Sequence, residues 1–470
     1  MSDTFVRPST AAHAMLAEIW SALGDEQAPM PTVDFAGDGA LPSRFAVTDF
    51  AAATIGAAGA AVAELVTEGT GIRADVQLDR ALASAWFLPV VRRMGWASPG
   101  GNDLTGQYLA SDGTWLRLQM NYPRLRSATL RALGAEPTSE SVAASIATGR
   151  GEELETLVAE AGGAAAILRT AEEWAAHPQG RAVSAEPLIV ITETDDGPSS
   201  WRPLPDRPLA GIRVLDLTRV LAGPMSTRFL AGYGAEVLRI DPPGYEEPRG
   251  SADVTLGKRC ARLDLRTAEG RNEMVARLAE ADVLVHGYKP GVLEKYGLGP
   301  EERAAIRPGL VDVSLDAYGW SGPWRERRGF DTVVQMSTGI AADSMAWAGS
   351  DKPVLLPVQA LDHGTGHIMA AAAVHGLLHR MRTGRGLMMR CSLARSAVLL
   401  RKHQNAAGQP GIDTDAAPVD PLVRTTPGGF VRRVRVPLAV GGAPQYWDWP
   451  GEQLGSSLPV WATKTKENWS

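Results

Sequence analysis

The sequence has little cysteine and no excess of positive charge, and both shortages exclude whole classes of protein. Of its 470 residues only two are cysteines, too few for a disulfide framework or a four-cysteine zinc site. Lysine and arginine number 47 against 53 aspartates and glutamates, which sets the net charge at −6. This balance does not favour nucleic acid as a partner, although a local basic groove could still hold a phosphorylated ligand.

Long apolar runs and a targeting segment are also missing. No uninterrupted apolar stretch is long enough to span a bilayer, and the first residues lack the pattern of a signal peptide. We therefore expect a soluble, cytoplasmic protein with no membrane partner. Hydrophobic residues make up 44% of the chain and charged residues 21%, which are ordinary values for a globular protein.

The order of strands and helices in the second half of the chain predicts an α/β fold. Strands are predicted at 212–217, 235–240, 281–285 and 310–315, and helices at 223–232, 267–279, 332–340 and 364–382. This alternation is typical of a parallel sheet covered by helices. No glycine-rich phosphate loop follows the first strand, so phosphate binding at that turn is not indicated.

Four segments are predicted along the chain: an N-terminal module (1–194), a linker (195–208), a sheet-containing domain (209–402) and a tail (403–470). The linker is rich in proline, serine and aspartate. In the module we predict helices at 11–25, 50–67, 123–134, 152–161 and 164–176, and strands at 72–78 and 113–119. Trp447, Trp449 and Trp461 indicate that the tail packs back on the protein.

An internal repeat links two alanine-rich regions. The paired residues are Asp49 and Asp362, Gly69 and Gly384, Gly71 and Gly386, Leu78 and Leu393, and Arg80 and Arg395. The glycines, the leucine and the arginine keep register, and a slip of two residues separates them from the aspartates. Coincidence between alanine-rich helices is the alternative, but we favour duplication.

Several ordered motifs lie between about residues 209 and 400. They are LAGIRVLDLTRVLAGP, GAEVLRID, GKRCARLDLRTAEG, ADVLVHGYKPGVLEKYGLGPE, YGWSGPWRERRGFDTVVQMSTG and ALDHGTGH. Together they resemble family III CoA-transferases (CaiB/BaiF), the superfamily of formyl-CoA and carnitine CoA-transferases and α-methylacyl-CoA racemases. The resemblance implies a Rossmann-like CoA-binding domain with a smaller α+β domain. It also implies acyl-CoA and carboxylic acid substrates, no permanently bound cofactor, no metal, and a homodimer.

The resemblance also implies roles for single residues. Asp362 matches the aspartate that is acylated and then holds CoA as a thioester, and Asp331 matches an acidic residue near the reacting centre. The residues that match CoA contacts are Val220, Leu221 and Ala222 for the pantetheine arm, Tyr288, Lys295, Lys289 and Lys258 for adenine and phosphates, and Arg328 at a position that is basic in the formyl-CoA enzyme.

Three departures from the family pattern matter. Phe330 stands where the racemases carry a histidine base, which weighs against racemisation by their route. Pro242 replaces an arginine of some members. Residues 45–190 resemble the later part of a member yet precede the sheet, so the chain is interpreted as permuted or part-duplicated.

The chemistry of Asp362 also follows from its residue type. A carboxylate can attack a thioester, because the resulting anhydride is reactive and thiolate is a good leaving group. At a helix N-terminus, backbone N–H groups would stabilise its ionised form and could help bind an oxyanion. The commoner role of such an aspartate is an N-cap, and Asp49 keeps that interpretation.

Two other groups of residues are weaker candidates. His363 and His367 share a helix face, but without an obvious third ligand we favour packing over metal binding. Cys260 and Cys391 lie in predicted strands and are interpreted as small core residues.

The preferred function is transfer of CoA from an acyl-CoA to a carboxylic acid through an aspartyl-CoA thioester. The alternatives are an acyl-CoA racemase or isomerase, in which Asp331 and His363 would move an α-proton, and an inactive CoA-binding subunit.

Overall fold

The computed structural model describes residues 10–24, 29–94, 104–197, 199–247, 251–426 and 429–462. Its helices are α1 (Thr10–Ala22), α2 (Val47–Thr70), α3 (Arg80–Ala85), α4 (Pro123–Leu133), α5 (Ser139–Ile146), α6 (Gly151–Glu160), α7 (Ala171–Ala176), α8 (Pro178–Ala185), α9 (Ala222–Gly232), α10 (Ser251–Val254), α11 (Ala268–Ala279), α12 (Pro300–Ile306), α13 (Asp331–Ser337), α14 (Ile340–Ala348), α15 (Ala360–Thr383) and α16 (Leu393–Arg401). Its strands are β1 (Val33–Ala36), β2 (Val76–Asp79), β3 (Val91–Arg93), β4 (Gly106–Leu109), β5 (Trp115–Leu118), β6 (Ala165–Ile167), β7 (Val190–Asp196), β8 (Arg213–Leu217), β9 (Glu236–Asp241), β10 (Lys258–Arg262), β11 (Val283–His286), β12 (Val311–Asp316), β13 (Arg385–Ser392), β14 (Arg424–Thr426), β15 (Gly429–Arg433) and β16 (Leu438–Val440).

A seven-stranded sheet in the order β10-β9-β8-β11-β12-β13-β7 organises the fold. Strands β8 to β13 pair in parallel and β7 pairs antiparallel with β13, so the predicted α/β class is confirmed. The apolar residues of β8 and β11 are buried on both faces, as expected where helices cover both sides of a parallel sheet. The chain winds outward from β8 to β10 and then from β11 to β13. The order therefore reverses between β8 and β11, and ligands of doubly wound sheets bind outside the carboxyl ends of the strands at that point.

Two helices of 24 residues, α2 and α15, pack along each other in the main core. Their alanines and glycines are buried on nearly every side, which allows close approach of the backbones. A Cβ atom on Gly364 would lie 2.2 Å from the ring of Phe50, so glycine is required there. Among the described helices, α2 alone is long and apolar enough to cross a bilayer by composition, but 94% of its most apolar window is buried inside the protein.

The two repeat copies share an order of elements, with a correction to their register. Each has a 24-residue helix with aspartate at the third position, ending at a glycine in the left-handed conformation. These end glycines are Gly71 and Gly384, so the helices stay in register with the aspartates. The two-residue slip between the copies therefore lies after these end glycines. Strand β13 begins directly after Gly384, whereas four residues separate Gly71 from β2.

The predicted segments are interwoven in the structure. Strand β7 contains Asp195 and Asp196, the first two residues of the predicted linker, and belongs to the central sheet. The tail pairs with the module, because β16 joins β2 and β15 joins β3. It also contacts the sheet-containing domain, since the indole N–H of Trp447 donates to the carbonyl of Arg228 at 2.8 Å. Trp461 is buried and Trp449 is 46% exposed, and the N–H of Gly257 donates to the carbonyl of Trp449 at 3.1 Å. The prediction that the tail packs back on the protein is therefore confirmed.

One predicted helix is also wrong. Residues 164–176 form β6 followed by α7, because β6 pairs with β5 and a capping box between Thr170 and Glu173 starts a new helix. The strand predicted at 72–78 begins only at Val76. The other predicted helices and strands match observed elements to within a few residues.

Candidate active site

The turn between β8 and α9 has the most strained backbone of the described chain. Val220 has φ +72°, and it is the only described residue other than glycine with positive φ. A β-branched residue is disfavoured there by about 1–2 kcal/mol, and such strain is concentrated at functional sites. The turn lies at the reversal of strand order. It also contacts α15, since a Cβ atom on Gly366 would lie 2.4 Å from the carbonyl oxygen of Ala222.

Lys258 does not lie on this surface. Its side chain is fully buried, and its ammonium group donates to Asp216 Oδ2 and to the carbonyl of Pro224, each at 2.9 Å. Burial lowers the pKa of Lys258, and the negative charge of Asp216 opposes that effect. The phosphate contact expected of Lys258 is therefore wrong for this conformation: the residue instead ties β10 to β8 and to the start of α9.

Tyr288 lies in the loop after β11, opposite the strained turn. Its hydroxyl accepts a hydrogen bond from Arg219 Nη2 at 2.5 Å, and the same guanidinium lies 4.9 Å from the Tyr288 ring centre and 5.1 Å from that of Tyr245. Sequence analysis missed Arg219. A cation directly before Val220, in the turn after the first strand of the sheet, is the signal that could have identified it.

Three cations, Lys289, Arg124 and Arg219, lie close enough to Arg328 to interact with its charge. Burial and then the charge of Arg328 lower the pKa of Lys289, while burial and then the charges of Arg124 and Arg219 lower the pKa of Arg328. Carboxylates relieve part of this repulsion, because Asp241 lies 3.6 Å from Arg219 and the charge of Glu326 raises the pKa of Lys289. A bound anion would relieve it further, and guanidinium and ammonium groups both bind phosphate. Of these, the sequence predicted Lys289 and Arg328. Lys295 lies on the exposed 3-10 helix Glu294–Tyr296 and has no described contact with the four.

Asp331 and Asp362 lie together at the start of α15. Asp331 Oδ2 accepts the backbone N–H of Asp362 at 2.9 Å, and the N–H of Leu361 also donates to Asp331. The side-chain amide of Gln335 donates to the other oxygen of Asp331. Asp331 therefore caps α15 from α13, because it satisfies donors that a helix start leaves open. The Asp362 carboxylate accepts no hydrogen bond from the described part of the chain, so Asp362 is not an N-cap.

The remaining donors of this helix start are occupied as well. The N–H of Ala360 donates to Val358 and that of His363 to Gln359. The expectation that these groups would stabilise an ionised Asp362 or bind an oxyanion is thus wrong for this conformation. Burial and the charge of Asp331 instead raise the pKa of Asp362 well above its usual range. Burial also raises the pKa of Asp331, to about 6.

The aspartate of the other repeat copy has a different environment. Asp49 is buried and accepts two hydrogen bonds from the guanidinium of Arg80, at 2.6 and 3.1 Å. The matching arginine of the second copy, Arg395, instead donates to the carbonyl of Glu186 at 2.8 Å and lies near Glu18. In the described part of the chain, the repeat thus has one aspartate paired with an arginine and one, Asp362, without a cationic partner.

His363 and His367 pack on an aromatic ring. Phe87 stacks on them at centre distances of 5.3 and 6.1 Å, and His367 Nδ1 lies 2.8 Å from the carbonyl oxygen of His363. Burial lowers the pKa of both imidazoles, that of His367 to about 3. Across the described ranges, no group of three His, Cys, Asp or Glu residues is placed to hold a metal ion. Cys260 and Cys391 are buried core residues, and burial raises the pKa of each thiol to about 12.

A cavity of about 220 Å³ lies next to the start of α15, and its described lining contains the chain neighbours of Asp331 and Asp362 but not the two aspartates themselves. It is lined by residues 87–89 and 355–359 together with Leu221, Asp253, Thr332, Gln335 and His363. Thr332 and His363 directly follow Asp331 and Asp362 in the chain, and Leu221 belongs to the strained turn. The cavity, the aspartate pair and the turn therefore form one site.

A sequence profile described as CoA-transferase family III matches residues 209–418. The match covers less than half of the chain, and we call residues 209–418 the family III segment. It contains both aspartates and every residue expected to contact CoA. Phe87, Leu88 and Pro89 of the cavity wall and Arg124 of the cationic group lie outside the family III segment.

Relatives of the family III segment include named CoA-transferases. The chain is 34% identical to the probable fatty acyl-CoA transferase Rv3272 of Mycobacterium tuberculosis over 43% of this chain and 54% of that protein. It is 34% identical to succinyl-CoA:glutarate CoA-transferase of Mus musculus over 41% of this chain and 47% of that protein. It is also 34% identical to formyl-CoA:oxalate CoA-transferase of Escherichia coli, over 40% of this chain and 47% of that protein. The chain spans about half the length of these relatives.

A crystal structure of Rv3272 is also similar to the family III segment. The identity is 33% over 42% of this chain and 58% of that one, with a TM-score of 0.39.

Proposed function

We propose that this protein transfers CoA from an acyl-CoA to a carboxylic acid, with Asp362 as the nucleophile. The observation that carries the proposal is that Asp331 caps α15, which leaves the Asp362 carboxylate, next to a cavity, without a hydrogen-bonding partner among the described residues. A carboxylate that served only the helix would itself accept those N–H groups. The family of the segment and the names of its relatives support the same activity.

The reaction conserves atoms and charge without a redox step. The ionised Asp362 attacks the thioester carbonyl, the carbon–sulfur bond breaks, and CoA leaves as thiolate from a mixed anhydride. The thiolate attacks the aspartyl carbonyl, and the donor acid leaves as carboxylate. The acceptor carboxylate then attacks the aspartyl-CoA thioester and expels the thiolate. Attack of that thiolate on the acceptor carbonyl yields the new acyl-CoA and regenerates Asp362.

The surrounding residues have separate roles in this proposal. Lys289, Arg328, Arg219 and Arg124 would bind the phosphates of CoA, and Tyr288 would contact its adenine. The turn from Val220 to Ala222 would hold the pantetheine arm against α15. Location in the cytoplasm, a homodimeric state, and the roles of Lys295 and Asp331 remain predictions from the sequence.

The test is chemical trapping of the aspartyl intermediate. Purified protein is incubated with acyl-CoA donors, treated with hydroxylamine, and digested for mass spectrometry. We expect a hydroxamate on the peptide that contains Asp362, absent from Asp362→Ala. The matched control is Asp49→Ala, the same change at the equivalent position of the other copy, which should keep the adduct per folded molecule.

The isomerase alternative has less support from the site. Phe330 stacks on Tyr122 at 6.0 Å, so an aromatic contact occupies the position of the racemase base. Incubation of acyl-CoA in deuterium oxide without an acceptor distinguishes the two activities. Exchange at the α-carbon together with no trapped ester would contradict the transferase proposal.

A further inference from the structure

We propose that the cavity beside Asp362 is the acyl pocket and that it selects a compact, uncharged, apolar acyl group, with residues 87–89 as its specificity-determining wall. This inference rests on the proposed function and deepens it by assigning the substrate class. The wall comes from the N-terminal module, outside the family III segment, so the names of the relatives do not decide its preference.

The position of the cavity makes it the place for the acyl group. Thr332 and His363 line it and are the direct neighbours of Asp331 and Asp362. Leu221 lines it from the turn that would hold pantetheine. An acyl group whose carbonyl carbon meets Asp362 while its CoA arm crosses this turn would extend into the same space.

The charges of the lining exclude a second carboxylate on the acyl group. Among the residues that the structure describes, no lysine or arginine lines the cavity. Its one carboxylate, Asp253, is engaged by Arg228 at 2.8 Å and by the N–H groups of Val90 and Val91 at 2.9 and 3.3 Å. A dicarboxylic acyl group would place an unpaired anion in this apolar space, where the loss of its hydration is not compensated.

The polar groups of the lining are neutral, and most are already used. Gln335 donates to Asp331 and accepts the N–H of Leu356 at 2.8 Å. His363 Nδ1 is buried without a hydrogen-bonding partner among the described residues, and burial lowers the pKa of this imidazole well below its usual range, which favours the neutral form. The charge of Arg228 also acts on His363, but Arg228 is already paired with Asp253 at 2.8 Å. The described lining therefore offers a neutral hydrogen bond and no unpaired cation for an anion.

The size and rigidity of the cavity indicate a compact group. Its volume of about 220 Å³ is below the range of about 300–1,000 Å³ for pockets that hold drug-sized ligands. Phe87 is 1% exposed and fixed by stacking on His363, and the N–H groups of Val90 and Val91 are held by Asp253. Leu88 is partly buried between these anchors, so its side chain sets the depth of the pocket.

The test compares two donors of equal chain length by binding rather than by turnover. Calorimetry of Asp362→Asn with CoA, butyryl-CoA and succinyl-CoA measures the acyl contribution without reaction. We expect butyryl-CoA to bind more tightly than CoA, and succinyl-CoA to bind at least about tenfold more weakly than butyryl-CoA. Equal or tighter binding of succinyl-CoA would overturn the inference.

Variants of the wall locate the preference. In the same background, Leu88→Arg should reduce or reverse the preference for butyryl-CoA, whereas Leu422→Arg, at a residue 58% exposed, should leave it unchanged. If Leu88→Arg does not fold, Leu88→Ala is expected to deepen the pocket and improve binding of octanoyl-CoA relative to butyryl-CoA. Unchanged ranking in the folded Leu88 variant would contradict the role of this wall.

Failure of the proposed function has a different signature. Wild-type protein that binds butyryl-CoA selectively but forms no trapped ester at Asp362 would refute transfer and support the acyl preference. Wild-type protein that forms the ester equally well from succinyl-CoA and butyryl-CoA would support transfer and refute the preference.

Discussion

Asp331 accepts the backbone N–H of Asp362 at 2.9 Å although the two residues lie on different helices. Through this bond Asp331 caps the helix that contains Asp362. The Asp362 carboxylate therefore accepts no hydrogen bond from the described residues. The two buried carboxylates are also electrostatically linked, because the charge of Asp331 raises the pKa of Asp362. This linkage makes the pair sensitive to pH in both stability and reactivity.

The first prediction concerns stability against pH. A carboxyl group whose folded pKa is raised binds more protons folded than unfolded, so the free energy of unfolding falls as pH rises through that interval. For Asp331 the interval runs from 3.8 to about 6, and for Asp362 it extends higher. Asp362→Asn should therefore show a smaller loss of stability between pH 4 and pH 8 than wild type in urea titrations. Asp351→Asn, on an exposed turn, is the control, and an identical slope in all three proteins would contradict the coupling.

The second prediction concerns reactivity. Since ionised Asp362 is the proposed nucleophile, the acid limb of the kcat/KM profile reports its protonation. Asp331→Asn removes the charge that raises the pKa of Asp362 while keeping an oxygen that can accept the N–H groups of α15. We expect the acid limb to move to lower pH. A limb that stays in place while activity falls uniformly would mean that Asp331 acts only as a cap.

The third prediction separates the two repeat aspartates. Asp49→Ala leaves Arg80 buried without its partner and should reduce the free energy of unfolding by about 3–5 kcal/mol. Asp362→Ala has no such cation to strand, so its loss of stability should be much smaller, or its stability should rise. Thermal denaturation of both variants makes the comparison. Adding Arg80→Met to Asp49→Ala should recover part of the loss, and no recovery would contradict the ion-pair explanation.

How much the sequence could predict is clearest at these residues. The all-round apolar patterns of α2 and α15 predict buried helices, and the alternation around β8, β9, β11 and β12 predicts the sheet. The capping of α15 by Asp331 was not predictable, because it depends on how two helices meet. The burial of Lys258 was not predictable either, because it also depends on how separate elements meet. Its partner Asp216 lies on β8, and neither spacing nor residue type reveals that pairing.

The fourth prediction follows from the correction of Lys258. Lys289→Ala should weaken CoA binding by about tenfold, as expected for loss of a hydrogen bond to a charged group, and the loss should shrink at high salt. Binding of pantetheine, which lacks the phosphates, should not change. Lys258→Ala should instead reduce stability by about 3–5 kcal/mol. Equal, salt-dependent losses of CoA affinity in both variants, with no loss of stability for Lys258→Ala, would restore Lys258 as a phosphate ligand.

The fifth prediction uses the strained turn. Val220→Gly relieves about 1–2 kcal/mol of backbone strain but adds freedom to the unfolded chain worth about 0.5–1 kcal/mol. The variant should be up to about 1.5 kcal/mol more stable than wild type and should bind CoA more weakly, because the turn is no longer fixed. Calorimetric melting and CoA titration measure the two effects. A variant that loses both stability and affinity would show that the valine side chain matters for packing more than the backbone geometry does.

The antiparallel strand β7 has a practical consequence for anyone who dissects this protein. This strand, residues 190–196, precedes the family III segment in the chain and pairs with the outer edge of β13. An expression fragment restricted to residues 209–418 would lack it and expose a row of unpaired N–H and C=O groups on β13. Open edges of this kind template association with other chains, so such a fragment would aggregate even with its aspartates intact. A soluble fragment has to begin before Val190.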